Sequence, residues 1–393
     1  MEGPGHANGQ FNSTQMTERE AFIALNMVQD IGAATVENGI AALGSASAFF
    51  SAGAARLAAV KGIGRNRADD FAQAFGAVDW RGEMARAAEC DVTFLTPVDD
   101  AYPALLKRIH NPPLALYVAG DPAALSYACL GMVGTRAPTA YGRATAKAFA
   151  YRLAQAGVVI VSGLARGIDT ESHAAALLAG GRTVAVIGGA LDRLYPPENR
   201  ELARRIAKSG GAVVTEYPFG RQADRQTFPM RNRIISGLSS AILVVEAGAT
   251  SGTLITCDHA LEQGRSVMAV PGRIDNPAAQ GCHKIIKDGA RLVESPDEVL
   301  EELQSLPGST LRGASAPADP SSAKPAGGGG ARPALDEVET QILATLGAEE
   351  MTPDELVNAS GIAPHLLGPR LISLEIKSQI ERIGANAVRR KRI

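Results

Sequence analysis

The sequence predicts an α/β protein: a Rossmann-like, doubly wound, mainly parallel sheet, with a small helical domain before it and a winged helix after it. Three observations predict this. Between Cys129 and Leu303 short β-branched runs alternate with helical segments, as in a parallel sheet whose crossovers are helices. Residues 17–90 read instead as short helices punctuated by Gly32, Gly39 and Gly44. Residues 306–333 are rich in Pro, Gly, Ser and Ala, a linker composition, and set apart a last amphipathic module over 334–393.

The elements follow in chain order. Residues 1–16 lack a basic region followed by an apolar core, so they read as a disordered leader rather than a secretory signal. Val60-Lys61-Gly62-Ile63-Gly64 precedes the helical segment 65–75. That pattern fits a helix–hairpin–helix turn, whose N–H groups can meet a nucleic-acid phosphate, and equally a plain corner between helices. Residues 91–120 form a bridge with strands at 92–95 and 114–118. The α/β region, 91–305, has expected strands at 130–133, 158–161, 183–187, 212–215, 241–245 and 267–270. Its expected helices are 141–156, 170–178, 198–207, 231–238, 252–263 and 296–303. In the last module Thr352-Pro353-Asp354-Glu355 is a capping box with proline at the first helical position. A helix over 364–377 and a ribbon pairing 379–383 with 387–389 complete a winged-helix pattern.

Composition narrows the functional classes. The 393 residues are 46% hydrophobic and carry a net charge of −2, so a polyanion site has to come from local arrangement rather than bulk charge. Cys90, Cys129, Cys257 and Cys282 form no CxxC pair, so neither a metal site nor a disulfide framework is expected, and no cofactor motif is present. No apolar run approaches the ~20 residues that span a membrane. The cytoplasm is the expected location.

The segment Val161–Asp169, VSGLARGID, is a strand end, a glycine turn and a helix start, with Asp169 expected as the N-cap. Arg166 places a permanent charge in that turn. Similar chemistry recurs at other strand ends: Gly131–Arg136, Gly188-Gly189, Ser251-Gly252-Thr253 and Pro271-Gly272-Arg273. Arg225, Phe228, Arg231 and Arg233 lie in the segment before the strand at 241. A parallel sheet collects such ends along one edge, where guanidinium forks and glycine turns suit a chain of phosphates. Each element also has a bland use: Arg231 or Arg233 can neutralise Glu246 or Asp258, and Asp169, Asp192, Glu216 and Glu246 can serve as caps or arginine partners. GxGxxG and GxxxxGK[ST] are both absent, and no catalytic set stands out around His173, His259 or His283.

Five stretches together resemble the DNA-processing protein A (DprA/Smf) family: VGTRAPTAYG from Val133, VSGLARGID from Val161, LDRLYPPENREL from Leu191, FPMRNRIISGLS from Phe228, and SGTLIT…ALEQGR…VPG from Ser251. The resemblance implies a SAM/helix–hairpin–helix-like domain ahead of the sheet and a winged helix behind it. It implies a homodimeric protein that binds single-stranded DNA, protects it and helps load RecA recombinase in natural transformation, with no catalysis. It places Ser162, Gly163 and Arg166 on DNA phosphate, and Arg225 and Phe228 in a segment closing over the strand. Arg136, Arg231, Arg233, Ser251, Gly252 and Thr253 complete the pocket. The chain departs from the family at Thr250, where Lys or Arg usually precedes the SG[ST] turn. Two other readings stand beside it. One is a nucleotide phosphoribohydrolase-type enzyme, whose expected glutamate after the loop is replaced by Ile255-Thr256. The other is an adaptor acting through the winged helix.

Overall fold

The computed structural model describes residues 16–306, 337–346, 350–362, 367, 370, 371, 374, 379–383 and 387–390. The leader and linker expected from the sequence lie outside these residues, except for Met16 and Leu306. The chain divides into two compact units, 1–317 and 318–393.

Among the described residues the first unit opens with six helices: α1 (Glu18–Asn26), α2 (Ala33–Leu43), α3 (Ala46–Phe50), α4 (Ala54–Leu57), α5 (Arg65–Ala77) and α6 (Trp80–Glu89). Phe49, Phe50, Phe71 and Phe75 fill their common core, with Phe50 and Phe75 stacked at 5.0 Å. Then come β1 (Val92–Leu95), α7 (Ala104–Lys107), β2 (Leu116–Gly120), β3 (Cys129–Val133), α8 (Ala140–Gln155), β4 (Val159–Ser162), α9 (Ile168–Leu178) and β5 (Thr183–Val186). They are followed by α10 (Arg200–Lys208), β6 (Ala212–Thr215), α11 (Thr227–Leu238), β7 (Ala241–Val244), α12 (Thr253–Glu262), β8 (Ser266–Ala269), α13 (Gln280–Lys287), β9 (Arg291–Leu292) and α14 (Pro296–Ser305).

All nine strands form one sheet in the order β1-β2-β6-β5-β4-β3-β7-β8-β9. From β6 to β9 neighbours are parallel, whereas β2 runs antiparallel to both β1 and β6. The central strands are buried along their whole length because helices cover both faces. Alternate side chains feed two cores: Val133, Val161 and Val244 on one face, Met132, Ile160 and Leu243 on the other. After β3 the chain turns to α8 on one face, and after adjacent β7 it turns to α12 on the other. The gap between the ends of β3 and β7 is therefore a topological switch point, where open sheets bind ligands.

The helical segment is docked on the antiparallel edge. Glu83 on α6 accepts from the Tyr117 hydroxyl at 2.9 Å and from Phe219 N–H at 2.8 Å. Asn26 donates to Glu216 O and accepts from Ala115 N–H. Ile23, Phe94 and Tyr117 share one apolar cluster across this boundary.

The second unit holds α15 (Glu337–Leu346), β10 (Glu350–Met351), α16 (Pro353–Ser360), β11 (Ile380–Ile383) and β12 (Ala387–Arg390). The capping box at Thr352 is formed, with Glu355 accepting from the Thr352 N–H. Within the expected helix over 364–377 only Leu367, Arg370, Leu371 and Leu374 are described, all helical, and the three leucines are buried in the unit's core. The ribbon is formed by β11 and β12, with β10 as a third strand beside β12.

The structure corrects several element boundaries. The helix expected from Thr170 starts at Ile168, which places Asp169 inside its first turn; the N-cap position belongs to Gly167. The helix expected from Arg231 starts at Thr227. Helix α13, β9 and β10 lay outside the sequence-based expectation.

Candidate functional site

The segment VSGLARGID forms a tight loop between β4 and α9. Leu164 (φ 56°) and Gly167 (φ 80°) both take left-handed backbone, and Leu164 is buried. Gly167 has a second constraint: a Cβ there would stand 2.4 Å from Thr135 O, because the loops after β3 and β4 press together. Ile168 N–H donates to that same Thr135 oxygen at 3.2 Å.

The carboxylate of Asp169 turns back into its own loop and accepts from Gly163 N–H (3.1 Å) and Ala165 N–H (3.3 Å). These amides, which the sequence offers to an anion, are thus already satisfied. Arg231 reaches the same loop from α11. The residue is 5% exposed, and its guanidinium donates to Gly163 O (2.5 Å) and Val186 O. Burial lowers its pKa to about 10 against the opposing pull of Asp169. Burial likewise pushes the Asp169 carboxyl up, with Arg231 holding it down.

Above this buried pair lies a cleft of about 490 Å³ at the switch point. Its walls are Gly134 and Arg136 after β3, Ala165 and Asp169 after β4, Arg225, Phe228 and Arg231 at the head of α11, and Ser251, Gly252 and Thr253 at the start of α12. Arg136 and Arg225 are exposed. Arg136 stands 5.2 Å over the Phe228 ring, and Phe228 tilts against Tyr195 at 5.8 Å. Ser251 Oγ accepts from Thr253 N–H at 3.2 Å and opens α12. Thr250, in the position where the resemblance expects a cation, is exposed.

Three of the residues named from the sequence are placed differently. Ser162 is fully buried and its hydroxyl donates to Met132 O at 2.6 Å, so it faces the sheet. Gly163 is buried under Arg231, whose Nη1 would stand 2.6 Å from a Cβ there. Arg233 does not line the cleft; it is buried against Glu216. Neither Arg231 nor Arg233 pairs with Glu246 or Asp258. Glu246 instead accepts from Thr139 N–H and Oγ1, both at 2.8 Å, and fixes the start of α8. Asp192 accepts from Gly220 N–H and Arg86. The plain structural use of these acids accounts for all four.

Arg166 is exposed and ion-paired to Glu198, with Tyr195 at 5.9 Å. Tyr195 and Glu198 belong to the LYPPEN stretch, which the sequence marked for resemblance without assigning either side chain a role. His173 is fully buried; its Nδ1 lies 2.7 Å from Thr183 Oγ1, and burial lowers its pKa to about 3. It is a buried interior residue rather than an accessible base. Among the described residues no group of three or more His, Cys, Asp or Glu is placed to hold a metal ion.

The model for DNA recombination-mediator protein A matches residues 93–304, which contain the whole sheet edge and cleft. The chain belongs to that family. The model for the DprA winged helix domain matches residues 323–386. Protein Smf of Escherichia coli is 47% identical over 211 residues, 53% of this chain and 56% of that protein. The putative DNA processing protein DprA of Mycobacterium tuberculosis is 37% identical over 337 residues, 80% of this chain and 82% of that one. The solved structure of DprA from Streptococcus pneumoniae aligns with a TM-score of 0.63 at 33% identity, covering 73% of this chain and 98% of the other. The match thus spans little more than half of the Escherichia coli relative, and four fifths of the mycobacterial one. Among the described residues no helix is long and apolar enough to cross a membrane.

Proposed function

We propose that the cleft at the switch point binds single-stranded DNA by its sugar–phosphate backbone. The observation that carries this reading is the pairing of exposed Arg136 and Arg225 with a half-buried aromatic face, Phe228, in one groove. Phosphates take the guanidinium groups, and only unpaired bases can turn a π-face toward the ring. Arg166 belongs to the same grip from a small groove that Arg136 and Phe228 also line. Ser162, Gly163, Arg231 and Arg233 serve it from beneath by fixing the loops, while Ser251, Gly252 and Thr253 bring a helix start to the cleft wall.

In this reading the protein shields the strand and helps load RecA recombinase onto it in transformation or recombination, working as a homodimer in the cytoplasm. The family's description as a recombination mediator supports the RecA step. The names of the relatives as DNA processing proteins support the substrate class. A fluorescent oligodeoxythymidylate and a blunt duplex of equal length, titrated with the full chain, test the proposal. At least tenfold preference for the single strand is expected; equal affinity for the duplex would contradict it.

A further inference from the structure

We infer that Glu198 stands in for a strand phosphate on Arg166 and is displaced when DNA binds, and that Tyr195 beside it supplies a second stacking face. This rests on the single-strand reading of the cleft. A small groove adjoins the main cleft, walled by Arg136, Arg166, Tyr195, Phe228 and Arg231. Of the three exposed arginines Arg136, Arg166 and Arg225, the one with a carboxylate partner among the described residues is Arg166, whose Nε donates to Glu198 Oε1. A carboxylate and a phosphate accept from a guanidinium fork in the same manner, so an acid held there competes with the strand.

The acid is held there by design of the fold rather than by the reach of a loose side chain. It sits in the turn Pro197–Asn199, and the next residue, buried Asn199, ties that turn to the β4–α9 loop. Asn199 Nδ2 donates to Leu164 O at 2.8 Å and to Thr170 Oγ1 at 2.9 Å. Both partners of the ion pair are about half exposed, so the pair opens easily in water. Tyr195 is 44% exposed, 5.9 Å from the Arg166 guanidinium and 5.8 Å from Phe228. Along the rim two aromatic faces lie between two cations, in the order Arg136, Phe228, Tyr195 and Arg166. A phosphate arriving at Arg166 thereby sets a base on Tyr195, one step along from the base on Phe228.

The test is a salt titration of oligodeoxythymidylate binding to the full chain carrying Glu198→Gln. Glu201→Gln serves as control, because Glu201 is a neighbouring exposed acid that pairs with Arg204 instead. Glu198→Gln is expected to tighten binding about two- to fivefold at each salt concentration while the slope of log K against log[salt] stays close to that of wild type, because the same phosphates are neutralised. In an Arg166→Ala background it should do no more than Glu201→Gln. Tyr195→Ala should weaken binding about fivefold or more. Glu198→Asp, which withdraws the carboxylate by one methylene, gives a second reading if the glutamine variant folds poorly. An unchanged or weakened affinity, or an equal gain with and without Arg166, overturns the inference. Failure of the wild-type chain to bind the strand would instead overturn the single-strand reading itself.

Discussion

At the scale of single residues, the site is built from charged groups with two distinct duties. Arg231 and Arg233 are sequestered, one facing buried Asp169 and the other paired with Glu216, and they hold backbone in place. Arg136 and Arg225 are left to solvent. The sequence displays four arginines of equal standing, and nothing in their spacing separates the two duties, because burial is decided by which acid the fold brings opposite. His173 shows the same effect on a titrating group. Its folded pKa of about 3 lies below the ordinary value of 6.5, so between those pH values the unfolded chain binds a proton that the folded chain refuses. Stability is therefore full above pH 6.5 and falls as the pH drops toward 3, by about 1.4 kcal/mol per pH unit from this side chain. Denaturant unfolding at pH 7 and pH 5 should show wild type losing about 2 kcal/mol more than His173→Leu. An equal loss in both would disprove the assignment.

At the scale of elements, the β4–α9 loop is the piece on which the cleft depends. Its strand, its glycines and the approximate start of its helix are legible in VSGLARGID, since a β-branched run, Gly163, Gly167 and an acidic first turn each have a local cause. The inward turn of the Asp169 carboxylate is not legible, because the alternative of an N-cap satisfies the same residue type at nearly the same place. Gly163 is constrained from above: its carbonyl accepts from Arg231, and a Cβ would meet that guanidinium at 2.6 Å. Gly163→Ala is expected to destabilise the protein by about 1–3 kcal/mol, as overpacking does, and to weaken strand binding by displacing the loop. A thermal melt within a degree of wild type would contradict this. The short elements that escaped notice, β9 and β10, are two residues each and leave no periodicity to read.

At the scale of the whole molecule, alternating strands and helices were enough to fix the sheet class, and the glycine and arginine motifs were enough to place the candidate site along the carboxyl edge. The sheet order was not legible, because nothing local says that β3 and β7 are neighbours or that β1 and β2 reverse direction at the far edge. That pairing is what brings residues over a hundred positions apart, Arg136 and Thr253, onto one cleft. It also makes the central claim a cooperative one: separate loops neutralise successive phosphates of one unpaired strand. The most direct test is the salt dependence of single-strand affinity for the full chain and for the double variant Arg136→Ala/Arg225→Ala. Each phosphate neutralised on a single strand contributes about −0.7 to the slope of log K against log[salt], so the double variant should bind more weakly to every sequence and its slope should be shallower by about 1.4. An unchanged slope with unchanged affinity would contradict the account.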